Sequence, residues 1–301
     1  FGYAQIGHGG RDADGNFGVG ADIITVNSSA DIEFFGGTRD AGTNGNQGRE
    51  AYAQIGNGGY NSISAKLGNI DVDAANNITF DGSPNGNDSG DRSYVQIGHG
   101  GYGSVGNVTG DIAVDAGGAI SFDGGRQRSY AQIGHGGGTD HRVTPDDRGS
   151  NTDPTNDRAR NGLDHYAPDT LTGDIAVTAT GNIAFSTGQG GGDGAFTQIG
   201  HGGFRHAATA GEGHSGDIAV TTGGDLTFAA GGNDRNYAQL GHGGYEAFGN
   251  HGDRTNSAAT SSNITVQSTG NIAFTGGGGT TRYAMLGHGG YDADFHAANT
   301  T

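Results

Sequence analysis

Two short apolar alternations recur along the chain, each set between runs of Gly, Asn, Asp and Ser. Ile-x-Val occurs at Ile24/Val26, Ile70/Val72, Ile112/Val114, Ile175/Val177, Ile218/Val220 and Ile264/Val266. Eight residues after the first Ile, in all six copies, comes Ile-x-Phe or Leu-x-Phe: Ile32/Phe34, Ile78/Phe80, Ile120/Phe122, Ile183/Phe185, Leu226/Phe228 and Ile272/Phe274. A third segment completes the unit, the octapeptide Tyr-Ala-Gln-Ile-Gly-His-Gly-Gly and its variants, starting at Tyr3, Tyr52, Tyr94, Tyr130, Phe196, Tyr237 and Tyr283. Apolar residues spaced by two read as strands, and the Gly- and Asn-rich punctuation between them reads as turns. No window has the three-and-four spacing of a helix, which glycine opposes by about 1 kcal/mol per residue relative to alanine.

The constant eight-residue offset marks a corner that belongs to the scaffold. The other two connections vary: 15 to 42 residues from the octapeptide Ile to the next Ile-x-Val, and 11 to 21 from Phe to the next octapeptide. Three strands per unit, one fixed corner and two variable ones predict an all-β fold, a parallel β-helix of six to seven coils with long polar loops at two corners. One coil cannot bury its apolar edge, whereas stacked coils bury a continuous one. At a strand spacing of roughly 4.8 Å the rod is expected to be about 30 Å long. The whole of 1–301 reads as one such array, with 138–171 as a protruding insertion carrying Pro145, Pro154 and Pro168. A six-bladed propeller is the competing arrangement, but it leaves the seventh octapeptide surplus.

Alternation assigns facings. Ile112, Val114, Ile120, Phe122, Ile175, Val177, Ile183 and Phe185 are expected in the core, with their equivalents in other units. In the octapeptide, an inward Ile6 turns Tyr3 and Gln5 outward. In-register stacking then forms a tyrosine ladder (Tyr3, Tyr52, Tyr94, Tyr130, Phe196, Tyr237, Tyr283) and a glutamine ladder (Gln5, Gln54, Gln96, Gln132, Gln198, Gln239) on a flat face open to a partner. His8, Asn57, His99, His135, His201, His242 and His288 form a third column. Imidazole is a common metal ligand, but ligands of one ion converge on a point, and a stacked column does not. Asn57 in the second unit fits a hydrogen-bonding role better, so the column is read as structural, with no metal. Acid between about pH 7.5 and 5 is then expected to loosen the rod through imidazolium repulsion.

Composition narrows the classes further. The 65 glycines and 4 prolines approach low-complexity content, and only the periodic Ile, Val and Phe imply an ordered fold. Against 15 basic residues stand 32 acidic ones, for a net charge of −17, which argues against nucleic acid or an anionic membrane as partner. No apolar run approaches the roughly 20 residues of a membrane span, and no signal peptide is visible, so the chain reads as a mature or excised segment. Without cysteine there are no disulfides, zinc–thiolate sites or thiol catalysis. The acidic loops Asp81–Asp91 and Asp146–Asp157 offer oxygen ligands for calcium, although solvated loop acids are the plainer reading. No paired-carboxylate cluster, nucleophile motif or phosphate-binding loop stands out, so no catalytic residue is assigned.

The segments Gly110-Asp-Ile-Ala-Val-Asp-Ala-Gly-Gly-Ala-Ile-Ser-Phe122 and Gly173-Asp-Ile-Ala-Val-Thr-Ala-Thr-Gly-Asn-Ile-Ala-Phe185 resemble the repeats of filamentous-haemagglutinin-type bacterial exoproteins, which include two-partner-secreted adhesins and autotransporter passengers. The resemblance covers the six strand pairs. It implies a right-handed parallel β-helix, secretion to the cell surface, and a structural role in adhesion or biofilm; it transfers no binding residue. The expected function is therefore a rod segment of an extracellular fibre, self-associating end to end or laterally, with a cell-surface or carbohydrate ligand among its expected partners. The alternatives are a carbohydrate-active β-helix enzyme and a calcium- or metal-binding repeat module.

Overall fold

A computed structural model describes residues 2–19, 22–37, 50–82, 91–139, 170–187, 192–206, 213–247, 250–251 and 262–293. Among these residues the chain is all β, with its strands stacked in four parallel sheets. The seven octapeptide strands, Tyr3–Ile6, Tyr52–Ile55, Tyr94–Ile97, Tyr130–Ile133, Phe196–Ile199, Tyr237–Leu240 and Tyr283–Leu286, form one sheet in chain order. The six Ile-x-Val strands form a second sheet and the six Ile-x-Phe strands a third. Residues pair with their sequence equivalents, as in Ile112 with Ile175 and Val114 with Val177, so the molecule is a β-solenoid with three main strands per coil. We number coils 1 to 7 from each octapeptide. The stack is open at both ends, which rules out the closed ring of a propeller.

A fourth side was not expected. Between octapeptide and Ile-x-Val lie two- and three-residue strands, Lys66–Leu67, Val108–Thr109, Leu171–Thr172, Gly213–Ser215 and Asn250–His251, which form a parallel sheet of their own. Coil 1 joins it through single bridges, Asp14 to Ile63 and Phe17 to Lys66.

Ile, Val and Phe from the three main sheets meet in one apolar cluster along the axis. Phe34, Phe80, Phe122, Phe185, Phe228 and Phe274 stack face to face at 4.6–4.8 Å between centroids, the spacing of adjacent strands. The constant corner has its own reason. The Asn77 side-chain oxygen accepts the Ala119 amide, and Asn182 and Asp225 repeat this to the next coil. A parallel column, Asn69, Asp111, Asp174 and Asp217, does the same before Ile-x-Val. At the two ends the layer is half uncovered: Ile6 is 50% exposed, and Ile272 and Phe274 46%. The insertion expected over 138–171 lies, but for its ends, outside the described residues, as do most of Asp81–Asp91 and all of Asp146–Asp157.

Candidate functional site

The octapeptide sheet is the most chemically furnished part of the coil, and its polar side chains do not face solvent. Tyr94, Tyr130 and Tyr237 are fully buried, as are Gln96, Gln132, Gln198 and Gln239. The expectation of an open Tyr/Gln face is therefore corrected. What covers it is the chain just past each Gly-Gly. Tyr60, Tyr102, Phe204, Tyr245 and Tyr291 fold back as a second aromatic ladder, packed against the first, which stacks at 4.6–4.9 Å from Tyr3 to Tyr283. These five aromatics went unnoticed in the sequence; the recurring Gly-Gly-Tyr or Gly-Gly-Phe was the available signal.

With both faces of the strand buried, each position acquires one task. The Gln96 amide donates to the Gly134 and Gly136 carbonyls of the next coil, both at 2.8 Å, and Gln132 does the same to Gly200 and Gly202. The Tyr130 hydroxyl donates back to Gln96 Oε1 at 3.3 Å, a bond also made from Tyr94 to Gln54 and from Tyr283 to Gln239. Phe196 brings no hydroxyl, and Gln132 Oε1 is a buried acceptor without a donor. Gly134, at φ +150°, lies so close to the Gly200 carbonyl that a Cβ would collide with it, and a Cβ on Gly137 would meet the Tyr130 hydroxyl. Glycine at both places is a condition for stacking, because non-glycine residues are excluded by the backbone conformation as well as by space.

The histidines complete the junction. His135 Nδ1 accepts the backbone N–H of His99 at 3.0 Å, and its Nε2 lies 2.7 Å from the Gly110 carbonyl. A carbonyl only accepts, so Nε2 carries the proton and the ring is neutral. His99, His201, His242 and His288 repeat both contacts with their own neighbours. Asn57 shows why asparagine substitutes: its Oδ1 accepts the His8 amide and its Nδ2 donates to the Leu67 carbonyl. Both nitrogens of these five rings are thus committed to backbone, and no lone pair on them is left to hold a metal ion. Protonation of Nδ1 would set an N–H against an N–H. Burial pushes His99 down to about 4, and His135, His201 and His242 well below the ordinary histidine range, with neighbouring rings adding to the effect.

Two features lie outside the octapeptide. His214 sits between His206 (Nδ1 to Nε2, 3.2 Å) and His251 (Nδ1 to Nδ1, 3.0 Å), and His251 Nε2 donates to the Ala247 carbonyl. That carbonyl fixes the direction of the chain: His214 donates to His251 and accepts from His206. Because His214 turns its two nitrogens to different partners, the trio does not converge on a point. Lys66, the only lysine, is buried in the short-strand sheet and donates to the Ser64 and Val105 carbonyls at 2.8 and 2.9 Å. Both arrangements tie neighbouring segments together. Compared with known proteins, the chain matches no family model, no curated protein and no solved structure.

Proposed function

We propose that the chain is a rod segment of an extracellular structural fibre, without catalytic activity of its own. One observation supports this above the others: the polar residues repeated in every coil are consumed in fastening that coil to the next. Gln, His and the Asn/Asp columns bond backbone of the adjoining coil, so repetition here serves length rather than a repeated ligand. Both ends of the described stack present strand edges and half-exposed Ile, Leu and Phe, a surface that further coils or another copy stacked head to tail would cover. The cysteine-free, acidic, glycine-rich composition and the resemblance of the Ile-x-Val/Ile-x-Phe units to large bacterial exoproteins support a cell-surface location and a role in adhesion or biofilm.

Small-angle scattering of the purified chain over a hundredfold concentration range tests the assembly. Elongated particles whose length grows with concentration are expected, and monodisperse particles of fixed length would count against it. Antibody labelling of intact cells tests the location, and labelling only after permeabilisation would refute it.

A further inference from the structure

One column on the fourth side changes character along the rod. Phe17, Lys66, Val108, Leu171, His214 and His251 pair in register from coil 1 to coil 6. They close the space beneath the octapeptide turns: a Cβ on Gly58 would meet Lys66, one on Gly136 would meet Leu171, and one on Gly202 would meet His214. Coils 3 and 4 fill this space with Val108 and Leu171, whereas coils 5 and 6 fill it with imidazole. His206, on the turn that covers the coil-5 octapeptide, adds a third ring. His206 and His214 are buried and His251 is half-buried.

The links in this trio differ in kind from those of the octapeptide column. There each Nδ1 accepts from a backbone N–H, which cannot become an acceptor, so an added proton breaks a bond. In the trio each link joins two ring nitrogens, His206 Nδ1 to His214 Nε2 at 3.2 Å and His214 Nδ1 to His251 Nδ1 at 3.0 Å, and either end of such a link can hold the proton. With His251 Nε2 donating to the Ala247 carbonyl, the one ring lone pair not used within the trio is on His206 Nε2. A proton arriving there lets the Nδ1 proton of His206 pass to His214 Nε2, and the Nδ1 proton of His214 pass to His251 Nδ1. Both hydrogen bonds survive with their directions reversed and no ring turns. The single positive charge ends on His251, the least buried of the three.

We infer that His206, His214 and His251 form one proton-binding site, which takes up a single proton as a unit, with the fold intact, before His99, His135, His201 and His242 take up any. Lys66 shows that this column accepts a donor-rich group when acceptors are at hand, since it stands in the same register and donates to the Ser64 and Val105 carbonyls. The titratable groups facing the trio are further imidazoles, His201 and His242 toward His214 and His288 toward His251. Arg205, next to His206, is paired with Glu246 at 2.8 Å. Burial first, and the surrounding rings second, push His214 well below the ordinary histidine range and also lower His251. The charge therefore settles on His251, and a second proton is refused.

The proton site lies inside coils 5 and 6 and is independent of fibre assembly, so either can fail alone. NMR of the full chain, isotope-labelled at histidine, reads the tautomer of each ring, because bare and protonated ring nitrogens resonate far apart. At about pH 7, His206 and His214 are expected as Nδ1–H and His251 as Nε2–H. On acidification all three should change together at one midpoint, His251 to imidazolium and the other two to Nε2–H. The rings of His99, His135, His201 and His242 should stay Nε2–H through that step, and the backbone amide spectrum should hold. His214→Leu, which copies its register partner Leu171, cuts the chain of rings, and His206 and His251 are then expected to titrate about one pH unit or more apart. Separate midpoints in the native chain, octapeptide rings changing first or together with the trio, loss of the fold before any of the three rings changes, or a common midpoint that survives His214→Leu would each overturn the proposal.

Discussion

The octapeptide sheet and the Ile-x-Phe sheet are built from four-residue parallel strands in the same register, yet they obey different rules. Ile120–Asp123 alternates buried and half-exposed or exposed positions, whereas every residue of Tyr130–Ile133 is buried. In the first, the outer face answers only to solvent, and Ser121, Ala184, Thr227 and Ala273 succeed one another there. In the second, the outer face lies under another layer of the same coil, and a polar group there must find its partner in protein. A one-sided strand thus constrains every other residue; a two-sided strand constrains all of them, which is why this sequence writes the octapeptide almost unchanged seven times.

Acid should break the comparison most strongly. The histidine column belongs wholly to the octapeptide side. Folded-state values are depressed, so below about pH 6.5 the unfolded chain takes up protons that the folded one refuses. Stability is therefore fully present above pH 6.5 and is lost as pH falls toward the folded values, about 4 for His99 and well below the ordinary histidine range for His135, His201 and His242. Each ring contributes roughly 1 kcal/mol per pH unit, so four amount to several kcal/mol between pH 6.5 and 5. Urea midpoints measured across that range should fall steeply, and a flat profile would remove the column from the account. The cause differs from the imidazolium repulsion expected from sequence: burial is the larger effect.

A single junction can be broken next. His135→Leu leaves the His99 amide and the Gly110 carbonyl buried without partners, and a loss of about 2–6 kcal/mol is expected, at 1–3 kcal/mol per orphaned group. His135→Asn, following Asn57, should keep most of that stability at pH 7 and flatten the acid slope by one proton. Denaturant titrations of the pair at two pH values separate hydrogen bonding from volume.

Smaller still is a repair. Phe196→Tyr places a hydroxyl where Gln132 Oε1 lacks a donor, with Gly203 beneath it as Gly137 is beneath Tyr130. A gain of no more than about 1 kcal/mol is expected, since Gln198 Oε1 has no donor even with Tyr237 beside it, and it is read as a rise in thermal midpoint. On the one-sided sheets, Ala176→Lys at an exposed position should change stability by no more than ~0.5 kcal/mol; a large loss would mean that this face is also covered.

The sequence carried the coil well and its thickness poorly. Ile-x-Val and Ile-x-Phe at a constant offset were sufficient for the three main strands, because period-two burial leaves a period-two trace. The fourth side left none, since a strand such as Val108–Thr109 is too short to have a period. For Tyr94 and Gln96, alternation placed both opposite Ile97 but could not say whether that side was covered. The covering segment is a turn, with Asn61, Arg205 and Glu246 at positive φ, and its Tyr60, Tyr102, Phe204 and Tyr245 stand singly among glycines. The histidines were readable as hydrogen-bonding residues only because Asn57 interrupts them.

That every junction is fastened by the same few bonds bears on how such a chain changes length. A duplicated or excised coil meets its new neighbour with the same Gln amide, the same imidazole and the same glycine clearance, so no joint has to be invented. Copy number is thereby free to drift while the fold stays fixed. Coil 2 is a variation on this, because Asn57 makes both bonds in place of an imidazole.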